Sequence, residues 1–240
     1  MDTNTIPQCW QDFHDVINAG AKQVILYGPP GTGKTYAGLN AGDTTNGAWR
    51  LVCTDEMTAA DVVGHWMPSA GGAWEWHDGS VIKAWQGNGL NGGRVVADEI
   101  DKANGDVLGM LLAMFDSQES ATWQRPDNGR TIRPLNGFSV VMTTNIENMD
   151  ELPTALKDRF PIAIRINTPH PEALKRLSPD LRKAAAASAD ADKSRRFSIR
   201  TFMEFDNMRK TLGDERAAKI VFTKRASDIL DAIKISAVAA

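Results

Sequence analysis

Apolar residues along the chain fall into two alternating rhythms. Short runs at Gln23–Tyr27, Trp49–Cys53, Arg94–Ala97, Phe138–Thr143 and Ile162–Ile166 have the length and β-rich composition of strands. Between them the apolar positions recur at helical spacing, as at Trp10, Phe13, Val16 and Ile17 within residues 7–19, and at Val107, Leu108, Leu111, Leu112 and Phe115. Strands that alternate with helices predict an α/β fold, a five-stranded parallel sheet sandwiched by helices. From Thr168 onward the strands stop, Pro169 and Pro171 break the chain, and the remaining residues read as helices. The expected organisation is therefore an αβα unit over residues 1–168 and a small all-α unit over 169–240. The Ala-rich stretch Ala184–Asp192 suits either a helix end or a flexible linker, and no internal repeat is visible.

Composition narrows the class without naming a function. A chain of 240 residues, 42% apolar and 24% charged, can bury a sizeable core and is ordinary for a soluble globular protein. The formal charge of −3 excludes a globally basic nucleic-acid binder and leaves room for local basic patches. Cys9 and Cys53 are far apart with no C-x-x-C spacing, which points to packed thiols in a reducing compartment rather than to a disulfide framework or a zinc site. No apolar run approaches the roughly 18 residues that a membrane span needs, and residues 1–8 lack the apolar core of a signal peptide. The expected location is the cytoplasm.

The chemistry begins just after the first strand. Gly28-Pro29-Pro30-Gly31-Thr32-Gly33-Lys34-Thr35 fills every fixed position of G-x-x-x-x-G-K-[ST]. Glycines let such a loop curl until successive N–H groups point at one spot, where the positive end of the following helix favours an anion. Lys34 is placed to reach the β- and γ-phosphates of a nucleotide, and the Thr35 hydroxyl to ligate Mg²⁺. A plain Gly/Pro turn ending in Lys-Thr is the bland alternative.

Three further sites decide what such a loop is for. The apolar strand Val95-Val96-Ala97 runs into Asp98-Glu99. Asp98 is positioned to hold Mg²⁺ through its water shell, and Glu99 could polarise a water for in-line attack on the γ-phosphate. Small-molecule kinases rarely need that second acid; otherwise the pair is a capping Asp-Glu at a helix start. Val140-Val141-Met142-Thr143-Thr144 leads to Asn145, which could bond the γ-phosphate or orient the attacking water, or be a simple turn residue. In Leu156-Lys157-Asp158-Arg159-Phe160, Arg159 closes a short helix begun by Pro153. It could neutralise transition-state charge on a neighbouring subunit's nucleotide, or be a surface residue paired with Asp158 or Glu151.

Taken together, over residues 20–212, these motifs resemble the AAA+ ATPases, and within them the MoxR-like, dynein-related branch with its CbbQ- and NorQ-type activators. The resemblance implies that Gly28–Thr35 is the Walker A loop, Asp98-Glu99 the Walker B pair, Asn145 sensor 1 and Arg159 the arginine finger. It implies sensor 2 at Arg200 in Phe197-Ser198-Ile199-Arg200-Thr201, with Arg195 and Arg196 near enough to compete for the role. Residues 61–86 resemble the family's helix-2 insert and hold four of the seven tryptophans, Trp66, Trp74, Trp76 and Trp85. With Gly71, Gly72 and Gly79 between them they suit either an aromatic contact surface or a small aromatic core, and Trp85 is read as core. Residues 121–136, with an Asp127-Asn128-Gly129 turn, resemble the pre-sensor 1 hairpin. Arg125, Arg130 and Arg133 make its tip basic, open to an acidic partner or a nucleic-acid backbone, or simply solvated.

What the resemblance implies is a Mg²⁺-dependent ATPase that forms a homo-oligomeric ring, taken as a hexamer, and remodels or activates a client protein. Its partner in such systems is often a protein with a von Willebrand factor A domain. ATP rather than GTP is implied by the family alone. The short N-terminal extension and compact lid put client choice in the loops or in another polypeptide. Two rival readings remain open from the sequence, a nucleic-acid-stimulated motor and a nucleotide-gated assembly scaffold with little hydrolysis.

Overall fold

Val24, Ile25 and Leu26, all fully buried, form the middle of β1 (Gln23–Tyr27), which comes after α1 (Gln8–Asn18) and leads into α2 (Lys34–Asn40). The computed structural model describes residues 6–238 apart from 104, 190, 193 and 194. After α2 come β2 (Ala48–Val52), α3 (Ala59–Val63), the hairpin strands β3 (Gly64–Pro68) and β4 (Trp74–Asp78), and α4 (Ser80–Gln86). The chain continues through β5 (Arg94–Asp98), α5 (Gly105–Met114), the two-residue strands β6 (Trp123–Gln124) and β7 (Thr131–Ile132), β8 (Ser139–Thr143), α6 (Thr154–Arg159) and β9 (Ile162–Arg165). The last part of the chain is helical: α7 (Pro171–Lys175), α8 (Pro179–Ala189), α9 (Ile199–Leu212), α10 (Asp214–Val221) and α11 (Ala226–Val238).

The main sheet has the order β2-β5-β8-β1-β9, and every neighbouring pair in it is parallel. Its five strands lie within one residue of the runs expected from the apolar pattern. Because the connections alternate strand and helix, all five strands point the same way. The carboxyl ends of β5 and β8 therefore lie side by side, next to β1.

The chain divides into two compact units, and the division does not simply follow chain order. One unit comprises Asp12–Gly28 and Thr35–Arg165 and contains the sheet. One of its faces takes α2, where a Cβ at Gly38 would come within 3.2 Å of Val96 and Val141, so helix and sheet backbones approach closely. Ile25, Val95, Ala97, Val140 and Met142 belong instead to a core shared with Leu111, Met114, Phe115 and Trp85. The guanidinium of Arg94 is buried and donates to the carbonyls of Gly38 and Ala41, capping α2 at its C-terminal end.

The other unit gathers the described residues up to Gln11, Pro29–Lys34 and the described residues from Ile166 on. Its core is built on Phe202, Phe205 and Phe222, whose rings meet at 5.2–5.3 Å, with Leu177, Leu181 and Ile199 around them. The alanines whose composition suits either helix or linker are helical through Ala189, and Ala184 and Ala185 pack into this core. Asp206 is buried beneath it and accepts from Ser178 N–H and hydroxyl and from Arg209, which also grips Asp180.

Candidate nucleotide site

In the second unit the loop Pro29–Lys34 is curled tightly. Gly31 and Gly33 have φ of 74° and 101°, conformations that a side chain strains, and neither has room for one. A Cβ at Gly31 would lie 2.6 Å from Ser198 Cβ, and one at Gly33 2.9 Å from His170 Cβ. The loop is held from outside by the His170 N–H, which donates to the Thr32 carbonyl at 2.7 Å. From inside, Thr32 Oγ1 and Lys34 Nζ both donate to the Pro29 carbonyl, at 3.2 and 2.7 Å. The Lys34 ammonium is thus folded over the loop it closes. Ser198 caps α9 by accepting from the Thr201 N–H, so its contact with Gly31 brings the first turn of α9, with exposed Arg200, beside the loop. Arg196 instead donates to the Ala191 carbonyl.

In the sheet unit, Thr35 Oγ1 donates to Asp98 Oδ1 at 2.7 Å, across 63 residues of chain. Thr143, at the end of the adjacent strand β8, donates to the same oxygen. On Oδ2 the carboxylate accepts from Arg50 Nη2 at 2.5 Å and Nε at 3.0 Å. Burial alone would push the Asp98 carboxyl up, but the bonds from Thr143, Thr35 and Arg50 together hold it below the ordinary carboxylate range. It is a nearly buried anion. The same negative field, added to burial, pushes the Cys53 thiol up to about 12.

No cluster of three or more His, Cys, Asp or Glu side chains suited to a metal occurs among the described residues. Thr35 and Asp98 offer a different arrangement, two hard oxygens whose shared proton lies between them. A hydroxyl that donates its proton keeps its lone pairs for accepting, so the pair suits Mg²⁺ with water and phosphate oxygens as its other ligands.

Glu99 comes directly after, at φ 59° and ψ 45°, a left-handed conformation uncommon for glutamate. Its side chain does not cap the 3-10 turn at Ile100–Lys102, so the capping alternative does not hold for it. Glu99 Oε1 accepts from Asn145 Nδ2 at 3.3 Å, and Oε2 pairs with Lys102 Nζ at 2.5 Å. Asp101 is bonded by the Thr144 hydroxyl at 2.6 Å, a third tie between the ends of β5 and β8 after those from Thr143 and Asn145. Arg159 closes α6, as expected, but its partners are the Leu112 carbonyl and Asp116 at 2.9 Å, not Asp158 or Glu151. With Lys22, Ser117 and Asp158 it lines a cavity of about 490 Å³.

The aromatic segment is a real hairpin between two short helices. β3 pairs antiparallel with β4, setting Trp66 opposite Trp76 with ring centroids 5.7 Å apart. Trp66 and Trp74 stand 43% and 65% exposed, whereas Trp85 on α4 is fully buried and donates to the Met114 carbonyl. In the second hairpin, β6 pairs with β7 around the expected Asp-Asn-Gly turn. Its basic tip is neutralised only at Arg125, which pairs with Asp78 at 2.9 Å and Asp127 at 3.0 Å, whereas Arg133 donates to the Glu119 carbonyl, which carries no charge. Arg130 remains exposed.

Three of these contributions escape a reading of the sequence. Arg50 is detectable there only as a lone charge in the strand Ala48–Val52, Thr143 as a hydroxyl ending an apolar strand, and His170 carries no signal at all.

A five-stranded parallel sheet flanked by helices, with a glycine-rich loop between its first strand and the next helix, is the core of a P-loop protein of the AAA+ type. The family model described as AAA domain (dynein-related subfamily) matches residues 23–160, more than half of the chain, and the chain belongs to that family. Among solved structures it is similar to a candidate ATPase from Cytophaga hutchinsonii ATCC 33406, at 18% identity and a TM-score of 0.47. That match covers 78% of this chain, which spans 64% of the other protein's length. No curated protein matches the chain. No helix among the described residues is long and apolar enough to cross a membrane.

Proposed function

We propose that this protein is a Mg²⁺-dependent ATPase of the MoxR-like branch, acting as a homo-oligomeric ring, a hexamer by family resemblance, on a client protein. The observation that carries the reading is the bond from Thr35 to Asp98, which joins the end of the P-loop to the strand carboxylate beside Glu99. The backbone N–H groups of Gly28–Gly33 and the Lys34 ammonium would hold the phosphates. Thr35 and Asp98 would hold Mg²⁺, which when bound neutralises phosphate charge as a Lewis acid.

Glu99 would then orient and polarise the attacking water, and Asn145, bonded to that carboxylate, would fix its rotation and sense the γ-phosphate. Arg159 would serve a neighbouring subunit's nucleotide, exchanging Asp116 for phosphate oxygens, and Arg200 would close over the phosphates from α9. In this reading residues 1–168 are the nucleotide-binding core and 169–240 the lid. Residues 61–86 and 121–136 are the helix-2 insert and pre-sensor 1 hairpin, moved by hydrolysis. The exposed Trp66 and Trp74 suit contact with a client or with a von Willebrand factor A domain partner. The reading places the protein in the cytoplasm.

Steady-state ATP turnover against protein concentration, with assembly size recorded on the same samples, tests the proposal. Specific activity should rise as a large ring appears. Glu99→Gln should lower turnover by roughly 10²–10⁴-fold while ATP stays bound. Full turnover by a monomer would sink the shared site, stimulation by DNA or RNA would favour a nucleic-acid motor, and client activity intact in Glu99→Gln would favour a scaffold.

A further inference from the structure

The Arg50 contact with Asp98 has no part in the chemistry assigned above. Arg50 comes from β2, whose Val52 lies opposite Asp98 in the parallel register, so its side chain reaches forward along the strand to the carboxylate. The Asp98 side chain is 8% exposed and that of Arg50 50%, so a buried anion meets a cation whose other side is in water. With Thr35 and Thr143 on Oδ1 and Arg50 on Oδ2, both carboxylate oxygens are taken. Meanwhile the Arg50 carbonyl accepts from Ser80 Oγ at 3.0 Å. That bond ties the backbone alone, and the side chain has solvent beside it into which it can turn.

We propose that Arg50 is a positioning residue that stands in for the divalent charge at Asp98. It keeps bare cations from the nucleotide-free site and releases Oδ2 only when the cation arrives with nucleotide. The inference rests on the reading of Asp98 as the metal-site carboxylate. A buried carboxylate needs a counter-charge whether or not nucleotide is bound, and a guanidinium supplies one at any physiological pH. The same charge opposes a free divalent cation. A unit charge roughly 5 Å from such a cation weakens its binding about tenfold even at the dielectric constant of water. With nucleotide, the phosphates outweigh that opposition.

The test is Mn²⁺ binding to the full chain, followed by electron paramagnetic resonance, with thermal melting to verify folding. Without nucleotide, Arg50→Gln should bind Mn²⁺ about tenfold or more tighter than the unsubstituted protein. The double variant Arg50→Gln/Asp98→Asn should lose that gain, and Arg50→Lys, which keeps the charge, should stay within about threefold of the starting affinity. Unchanged affinity in folded Arg50→Gln, a gain that survives in the double variant, or an equal gain in Arg50→Lys each overturns the proposal. In the unsubstituted protein, the Arg50 Nε–Hε NMR signal should move with Mg²⁺ plus a non-hydrolysable ATP analogue and not with Mg²⁺ alone. A signal unmoved by the pair overturns the proposal as well.

A separate arm protects the underlying reading. If Asp98→Asn holds Mn²⁺ with the ATP analogue as well as the unsubstituted protein does, the metal-site reading itself fails. If it loses that binding while Arg50→Gln gains nothing, the reading stands and only the role of Arg50 falls.

Discussion

At the ends of β5 and β8, Asp98, Glu99, Thr143, Thr144 and Asn145 are each bonded to another side chain. On the β3–β4 hairpin of the same unit, Trp66 and Trp74 stand in solvent. The first region is costly in desolvation and is held by mutual satisfaction. Its polar groups are fixed by one another, which a charged site requires. The second is costly in exposed apolar surface and is organised by its strand pairing, the Trp66–Trp76 ring contact and the pairing of Asp78 with Arg125. The contrast separates a part that must keep its shape from a part whose surface is available to something else.

Tryptophan itself offers the sharpest way to break that comparison. Trp85→Ala, in the buried core next to α5, should cost about 3–5 kcal/mol in urea or thermal unfolding. A cost near that of an exposed residue would mean the core beneath the hairpin is not packed as described. Next in size is Lys34→Ala, which should weaken nucleotide binding by roughly 100-fold in a fluorescent-analogue titration, the worth of a charge-assisted contact or two. Tight binding retained in that variant would remove the loop from the site.

Asp206 carries the comparison into the helical unit. Its burial raises its pKa, yet the Ser178 bonds and the Arg209 charge bring the net below the ordinary value of 3.8. Its contribution to stability is therefore present above about pH 4 and is lost as the pH falls through the lower folded value. Asp206→Asn should cost about 1–3 kcal/mol at neutral pH and flatten the acid limb of the stability curve. An acid limb identical in both proteins would rule out the coupling. The smallest expected effect is that of Trp74→Ala, under about 0.5 kcal/mol, with any larger loss pointing to a folded role for the hairpin tip.

Much of this structure was legible where neighbours in sequence determine the outcome. The five strands, the P-loop, the Asp-Asn-Gly turn and buried Trp85 all come from local pattern. What was not legible depends on lateral order in the sheet. Arg50 meets Asp98 only because β2 lies beside β5, and no local pattern encodes that pairing. Arg94 looks like an intrusion at the head of an apolar strand until its bonds to Gly38 and Ala41 show it capping α2. For Arg159, the alternative to a finger was a pairing with Asp158 or Glu151; the pairing it makes is with Asp116, 43 residues away. The basic tip of the second hairpin was read from composition, which cannot see that Asp78 on another hairpin neutralises Arg125.

The left-handed backbone of Glu99 has a consequence for how this protein can change. A side chain held in that conformation costs about 1–2 kcal/mol that glycine would not. Glu99→Gly should therefore melt higher while hydrolysing less. A library sorted on thermal endurance alone would drift toward glycine at this position, and one sorted on turnover would drift back. The two selections would part at a single codon, making residue 99 a gauge of which pressure a population had felt.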